Sequence, residues 1–169
     1  DSEAFDYLAD GETLILSYEV TVTDSQNATD TSTVTVTITG SNDAPVITNG
    51  DDTADLTETN AGLTATGDFT ISDLDTSDTV SADVTKITVS GSSDRSDTAA
   101  LTDVQLQALL SVTPNVVDGS ENSETMAWEF NSGIEAFDYL AKDETLILSY
   151  EVTVTDSQGD TDTSTVTVT

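Results

Sequence analysis

Leu14-Ile15-Leu16-Ser17-Tyr18-Glu19-Val20-Thr21-Val22-Thr23 is the most regular segment of the sequence. Leu14, Leu16, Tyr18, Val20 and Val22 alternate with Ile15, Ser17, Glu19, Thr21 and Thr23. A period of two sustained over this length describes a β-strand with one buried face. In the segment that follows, Val34, Val36 and Ile38 alternate with threonine. Asp24 to Thr31 between them is polar and turn-like, so the two strands are expected to form a hairpin.

Nearly the same segment occurs again further along the chain. Glu3 to Thr37 reads EAFDYLADGETLILSYEVTVTDSQNATDTSTVTVT, and Glu135 to Thr169 reads EAFDYLAKDETLILSYEVTVTDSQGDTDTSTVTVT. The offset is 135 − 3 = 132 residues, and the copies differ only at Asp10/Lys142, Gly11/Asp143, Asn27/Gly159 and Ala28/Asp160. Near-identity at a fixed long spacing marks an array. A period of this size is far above that of a solenoid, so each period is expected to be an independently folding domain. Three parts follow: residues 1–39 as the C-terminal hairpin of a preceding repeat, residues 40–46 as a linker, and residues 47–169 as one nearly complete domain. Both ends read as cut inside repetitive sequence, so a longer parent chain is expected.

Further strands are expected at Ala44 to Thr48, Ala65 to Ile71, Val84 to Ser90 and Thr125 to Phe130, and again at Leu146 to Thr155 and Thr163 to Thr169. Short strands at this spacing, with turn signals between them, point to a β-sandwich. One segment breaks the pattern. Thr102 to Leu110 has helical spacing behind a Thr or Asp cap, with Pro114 shortly after. It is expected to be a short helix capping an open end of the sandwich.

Charge narrows the function. There are 33 Asp plus Glu against Lys86, Arg95 and Lys142, a net charge of −30. Nothing in such a chain could replace the counterions condensed on a nucleic acid, and direct contact with an anionic membrane is disfavoured. The chain has no Cys, so a secreted domain of this kind needs another source of stability, and bound metal is one. It has no His either, which removes the commonest general base and the usual zinc ligand. Carboxylates and carbonyls remain, and these favour hard cations such as Ca2+. No apolar run approaches the ~18 residues of a membrane span, and no signal peptide is visible.

Three acidic clusters could hold such a cation. The linker Gly40-Ser41-Asn42-Asp43-Ala44-Pro45-Val46 offers Asn42 and Asp43 as short oxygen donors. Ser72-Asp73-Leu74-Asp75-Thr76-Ser77-Asp78 follows a strand, and alternate Asp73 and Asp75 in a bent loop can aim two carboxylates at one point. Asp10-Gly11-Glu12 precedes a strand, and Asp24 and Asp156 end strands. Calcium takes six to eight oxygens, so several donors must converge. Against this stands the plain expectation that most Asp residues solvate a surface, and that Asp24-Ser25-Gln26 and Asp156-Ser157-Gln158 are turn formers. No segment matches the EF-hand loop or the glycine-rich nonapeptide repeat.

These residues carry a resemblance. FDYLAxxETLxLSYEVTVTDSQG followed by STVTVTITGSNDAPVI resembles the VCBS repeat of long bacterial RTX-type adhesins. The likeness extends to Gly67-Asp68-Phe69-Thr70-Ile71-Ser72-Asp73-Leu74-Asp75 and to Trp128-Glu129-Phe130. More distantly the pattern is similar to cadherin repeats, which bind calcium between domains. The resemblance implies an all-β, cadherin- or immunoglobulin-like Greek-key β-sandwich with one short helix, in a tandem-repeat array. Carried over by position, it implies a metal set of Asp10, Glu12, Asn42, Asp43, Asp73, Asp75 and Asp156. Glu58, Asp143 and Glu144 would lie at the opposite pole. Gly40 stands where the first Asp of the cadherin linker would be, which implies fewer ions per junction, roughly one or two.

The function so implied is a calcium-stabilised extender of a bacterial cell-surface adhesin, extracellular, exported by type I secretion and supporting adhesion and biofilm formation. Its partners would be neighbouring repeats of the same chain, and the duplicated hairpin would lend itself to self-association. A ligand-binding module for carbohydrate, ice or protein is the alternative, since Thr33, Thr35 and Thr37 form a polar ladder; threonine on a wet strand face more often reflects β-propensity alone. No cleft or paired carboxylates of glycosidase type can be recognised, so an enzyme is not expected.

Overall fold

Thr13–Thr23 (β1) and Thr29–Thr39 (β2) form an antiparallel hairpin with Leu14 opposite Ile38, Leu16 opposite Val36 and Tyr18 opposite Val34. The computed structural model describes residues 2–96 and 100–169. After the hairpin come Val46–Ile47 (β3), Asp52–Ala54 (β4), Thr64–Ser72 (β5) and Thr79–Gly91 (β6). A short helix, Asp103–Gln107 (α1), leads to Leu110–Val112 (β7), Asn115–Asp118 (β8) and Ser123–Asn131 (β9). Leu146–Thr155 (β10) and Thr161–Val168 (β11) repeat the first hairpin.

Two sheets make a sandwich. One has the order β4-β11-β10-β6-β8 and the other β3-β5-β9-β7, while β1-β2 stands as a separate two-stranded ribbon. The inner faces follow from period-two alternation. Phe69 and Ile71 of β5 and Met126, Trp128 and Phe130 of β9 face Val80, Ala82, Leu148, Tyr150, Val152, Val154, Val166 and Val168, and all are buried. Trp128 is placed by its indole N–H, which donates to Asp52 Oδ2 at 3.0 Å. The fold is thus the expected all-β sandwich with one short helix.

The helix is shorter than the sequence pattern suggests, and it sits elsewhere. Thr102 and Gln105 form a reciprocal capping box, but Leu110 leaves the helix to pair with Phe130. Rather than closing an end, α1 lies against β6. Gln107 Nε2 donates to the Val84 carbonyl at 2.9 Å, and the Leu106 carbonyl accepts from Tyr150 Oη at 2.9 Å. β8 pairs with β6 only over Thr79–Ser81, so the helix covers edge that β8 leaves open.

The second hairpin completes the sandwich. Tyr150 is 0 % exposed and its first-copy equivalent Tyr18 is 53 % exposed; Val154 and Val22 are 0 % and 63 %. Among the described residues, none from the first hairpin or the segment before it belongs to the buried core cluster. Two of the four sites where the copies differ hold left-handed backbone in both copies: Gly11 (φ 77°) and Asp143 (φ 67°), Asn27 (φ 64°) and Gly159 (φ 99°). Gly, Asn and Asp are the residues that tolerate such turns, so the turns are kept while their residues exchange. Phe137 is a different case. It is buried, with φ 58°, whereas its counterpart Phe5 lies exposed in a 3-10 turn at Ser2–Phe5. Burial against the core offsets that backbone strain in the second copy only.

Candidate metal centre at the linker

β5 ends at Ser72, and the next six residues bend back into β6. The bend is built by its own carboxylates. Asp73 Oδ1 accepts the Asp75 N–H at 3.0 Å, and the Asp78 N–H donates to the Asp75 carbonyl at 3.0 Å. The linker is then fastened to the loop, since the Asp43 N–H donates to Asp75 Oδ2 at 2.7 Å. At the β10–β11 turn, Asp156 Oδ1 accepts the N–H groups of Gln158, Gly159 and Asp160 at 2.9, 2.6 and 2.8 Å. Its other oxygen accepts from Asn42 Nδ2 at 2.9 Å. Asp24 builds the same turn in the first copy through the N–H groups of Gln26 and Ala28 at 2.8 and 2.9 Å, but in the open. The tip is therefore shaped locally, and only the second copy is joined by a linker.

Each buried carboxylate of the Asp loop leaves an oxygen without a partner. Asp73, Asp75 and Asp78 are 2 %, 1 % and 4 % exposed. Asp73 Oδ2, Asp75 Oδ1, Asp78 Oδ2 and Asn42 Oδ1 are buried with no hydrogen-bond donor. Such oxygens cost free energy unless something positive meets them. Carboxylate oxygens of Asp73, Asp78 and Asp156 lie within 4.8 Å of one another. Two oxygens each about 2.3–2.6 Å from a common calcium ion sit at most ~5 Å apart, so the spacing fits such an ion. The only ion pair among the described residues joins Arg95 to Asp103 at 2.8 Å, and no basic side chain neutralises the cluster.

Electrostatics agree. Burial pushes the Asp73 carboxyl up to about 6; the Asp75 N–H opposes this, and the charges of Asp75, Asp78 and Asp156 add to it. Burial raises Asp75 also. Burial works against the Asp156 charge as well, but hydrogen bonds from Asn42 and from the N–H groups of Asp160, Gly159 and Gln158 outweigh it and hold that carboxyl low. A pH dependence follows. The folded protein holds the Asp73 proton more tightly than the unfolded chain does, so this stabilisation is complete below the ordinary value of 3.8 and is lost as pH rises through about 6. In chelator, the contribution of Asp73 to unfolding free energy should fall by about 2 kcal/mol between pH 4 and 7. Urea titrations of the wild type and Asp73→Asn would check this, and parallel pH profiles for the two would contradict it.

Of the seven sequence candidates, the structure gathers Asn42, Asp43, Asp73, Asp75 and Asp156. Asp43 enters through its backbone. Asp10 and Glu12 do not join the buried group. Asp10 is exposed, and Glu12 Oε2 accepts the Ala9 N–H at 3.1 Å, a local bond repeated by Glu144 and Ala141 at 2.8 Å. Their loop still reaches the linker, with the Gly40 N–H donating to the Glu12 carbonyl at 2.9 Å. A β-carbon at position 40 would overlap the carbonyl oxygens of Leu8 and Ala9, which is why glycine, not aspartate, opens this linker. Asp78, visible in the acidic loop but not among the seven, is central to the group, and Asp160 joins it from the hairpin tip. At the other end of the sandwich Glu58, Asp143 and Glu144 line one cavity of about 530 Å³ with an apolar floor.

No protein-family model matches the sequence, and comparison with curated proteins finds no match. Among solved structures, the ASH/PapD-like domain of human CEP192 (PapD-like domain 7) is similar in fold. Its TM-score is 0.42 at 10 % identity, covering 75 % of this chain and 84 % of that one.

Proposed function

We propose that this chain is a calcium-stiffened spacer from a tandem array, the extender region of a VCBS-type adhesin at a bacterial cell surface. One observation carries the reading: carboxylate oxygens of Asp73, Asp78 and Asp156 lie within 4.8 Å of one another, and Asp73, Asp75, Asp78 and Asn42 each keep a buried oxygen that no donor meets. The preceding hairpin's loop lies against the same place. Tyr7 O accepts from Thr76 Oγ1 at 3.4 Å, and Gly40 is closed against Leu8 and Ala9. An ion held there would tie linker, loop and hairpin tip together and so fix the angle between consecutive units. Extracellular modules bind calcium at about 10⁻⁴–10⁻³ M, so the array would be stiff outside the cell and loose inside it.

Calorimetric calcium titrations test this. Asp73→Asn and Asp78→Asn should each weaken binding at least about tenfold. In chelator Asp73→Asn should melt no lower than wild type, because it removes a buried charge that nothing offsets. Thr35→Ala, on the exposed face of β2, should bind as wild type does. Equal effects of all three substitutions would reduce the Asp loop to a surface turn.

A further inference from the structure

We infer that Asp160 is a positioning residue that sets the affinity of the linker site by holding the Asn42 amide so that its carbonyl oxygen is presented. This rests on the calcium reading above. An asparagine side chain has two N–H donors and one carbonyl acceptor. Asn42 Nδ2 spends one donor on Asp156 Oδ2 at 2.9 Å and the other on Asp160 Oδ2 at 2.8 Å. Its Oδ1 is left buried and unpartnered, as are Asp73 Oδ2, Asp75 Oδ1 and Asp78 Oδ2. Asp73, Asp75 and Asp78 are each at least nine-tenths buried. Two carboxylates on the nitrogen side make the opposite orientation unfavourable, because turning the amide over would set its oxygen against both negative charges. Asp156 alone occupies only one of the two donors. Asp160, itself exposed, accepts the second, so its carboxylate acts on the site through Asn42.

The first copy gives this a consequence. Its tip is Asp24-Ser25-Gln26-Asn27-Ala28, with the same carboxylate-centred turn but Ala28 where the second copy has Asp160. A linker meeting a tip of that sequence would have the aspartate that shapes the turn but not the one that orients the asparagine. Units differing at this one position would therefore hold calcium with different affinities, and stiffness could be graded along an array by a single residue.

The experiment uses the full chain and calcium alone. Asp160→Ala reproduces the first-copy residue, and Asp160→Asn keeps an acceptor oxygen while removing the charge. Titrations at high ionic strength screen the charge. Asp160→Ala should weaken calcium binding by about ten- to thirtyfold, the range typical of groups that orient ligands, and Asp160→Asn should stay within about threefold of wild type. In metal-free protein, the two Asn42 side-chain amide protons should exchange slowly in wild type and Asp160→Asn, and quickly in Asp160→Ala. Equal weakening by both substitutions would mean that Asp160 acts through charge alone, and an Asn42 amide unaffected by Asp160→Ala would overturn the positioning role. Failure of the wild type to bind calcium would instead remove the reading on which the inference rests, and slow Asn42 amide exchange would then belong to a purely structural bond.

Discussion

Residues 1–169 should self-associate at micromolar concentration in physiological salt, and a chain beginning at Gly40 should sediment as a monomer. Tyr18, Val20, Val22, Val34 and Val36 are all between 42 % and 63 % exposed. They form one face of a regular hairpin, with Leu16 opposite Val36 and Tyr18 opposite Val34. The same face of the second copy, with Leu148 opposite Val168 and Tyr150 opposite Val166, is sealed against the opposite sheet. The first hairpin thus presents in water a surface shaped to be covered, and such a face seeks a partner. A second molecule offers the same face and is the partner available in a pure solution. Removing residues 1–39 takes nothing from the buried cluster, so the shorter chain keeps its core. Val20→Asp in the long chain should abolish association without lowering the melting temperature of the sandwich. A strictly monomeric long chain whose amides exchange slowly in both hairpins would contradict the account.

How much of this could be read from the sequence depends on how local each feature is. β1, β2, β10 and β11 were legible because their alternation is unbroken and occurs twice. Alternation places β6 only from Val84, although it begins at Thr79. Val80, Ala82 and Val84 keep one phase and Ile87 and Val89 the other. The pairing slips there, with Val84 opposite Val152 and Lys86 opposite Glu151, leaving Thr85 as a bulge. A period count sees the second phase and loses the first. β7 was hidden in the helical pattern of Thr102 to Leu110, and β4, Asp52–Ala54, has no alternation at all. β4 exists because it pairs in parallel with β11 and because Asp52 receives the Trp128 indole. Contacts so distant in sequence leave no local mark.

The candidate site divides in the same way. Asp73 and Asp75 declare themselves by their spacing, and the linker by its Asn-Asp-Ala-Pro order. Asp160 does not, because its partner Asn42 lies 118 residues away. Glu12 looked like a ligand by position but is occupied by its own turn, as Glu144 is in the second copy. The glycine that breaks the cadherin-like linker pattern is required by the closeness of Leu8 and Ala9, a constraint that appears only once the loop is folded against the linker.

Thermal unfolding of the chain beginning at Gly40, with chelator and then with millimolar calcium, decides whether calcium holds the linker site. In that chain the hairpin's association cannot interfere, and Asn42, Asp73, Asp75, Asp78 and Asp156 are all retained. A site held at a hundredfold excess of ligand over its dissociation constant gains about 2.7 kcal/mol. For a domain of this size that is a rise in melting temperature on the order of 10 °C. Magnesium should do less, because it demands a tighter octahedral shell than a carboxylate cluster on a bent loop supplies. The melting temperature should rise with calcium, and the rise should be lost in Asp73→Asn. A melting temperature that is the same in chelator and in calcium would contradict it.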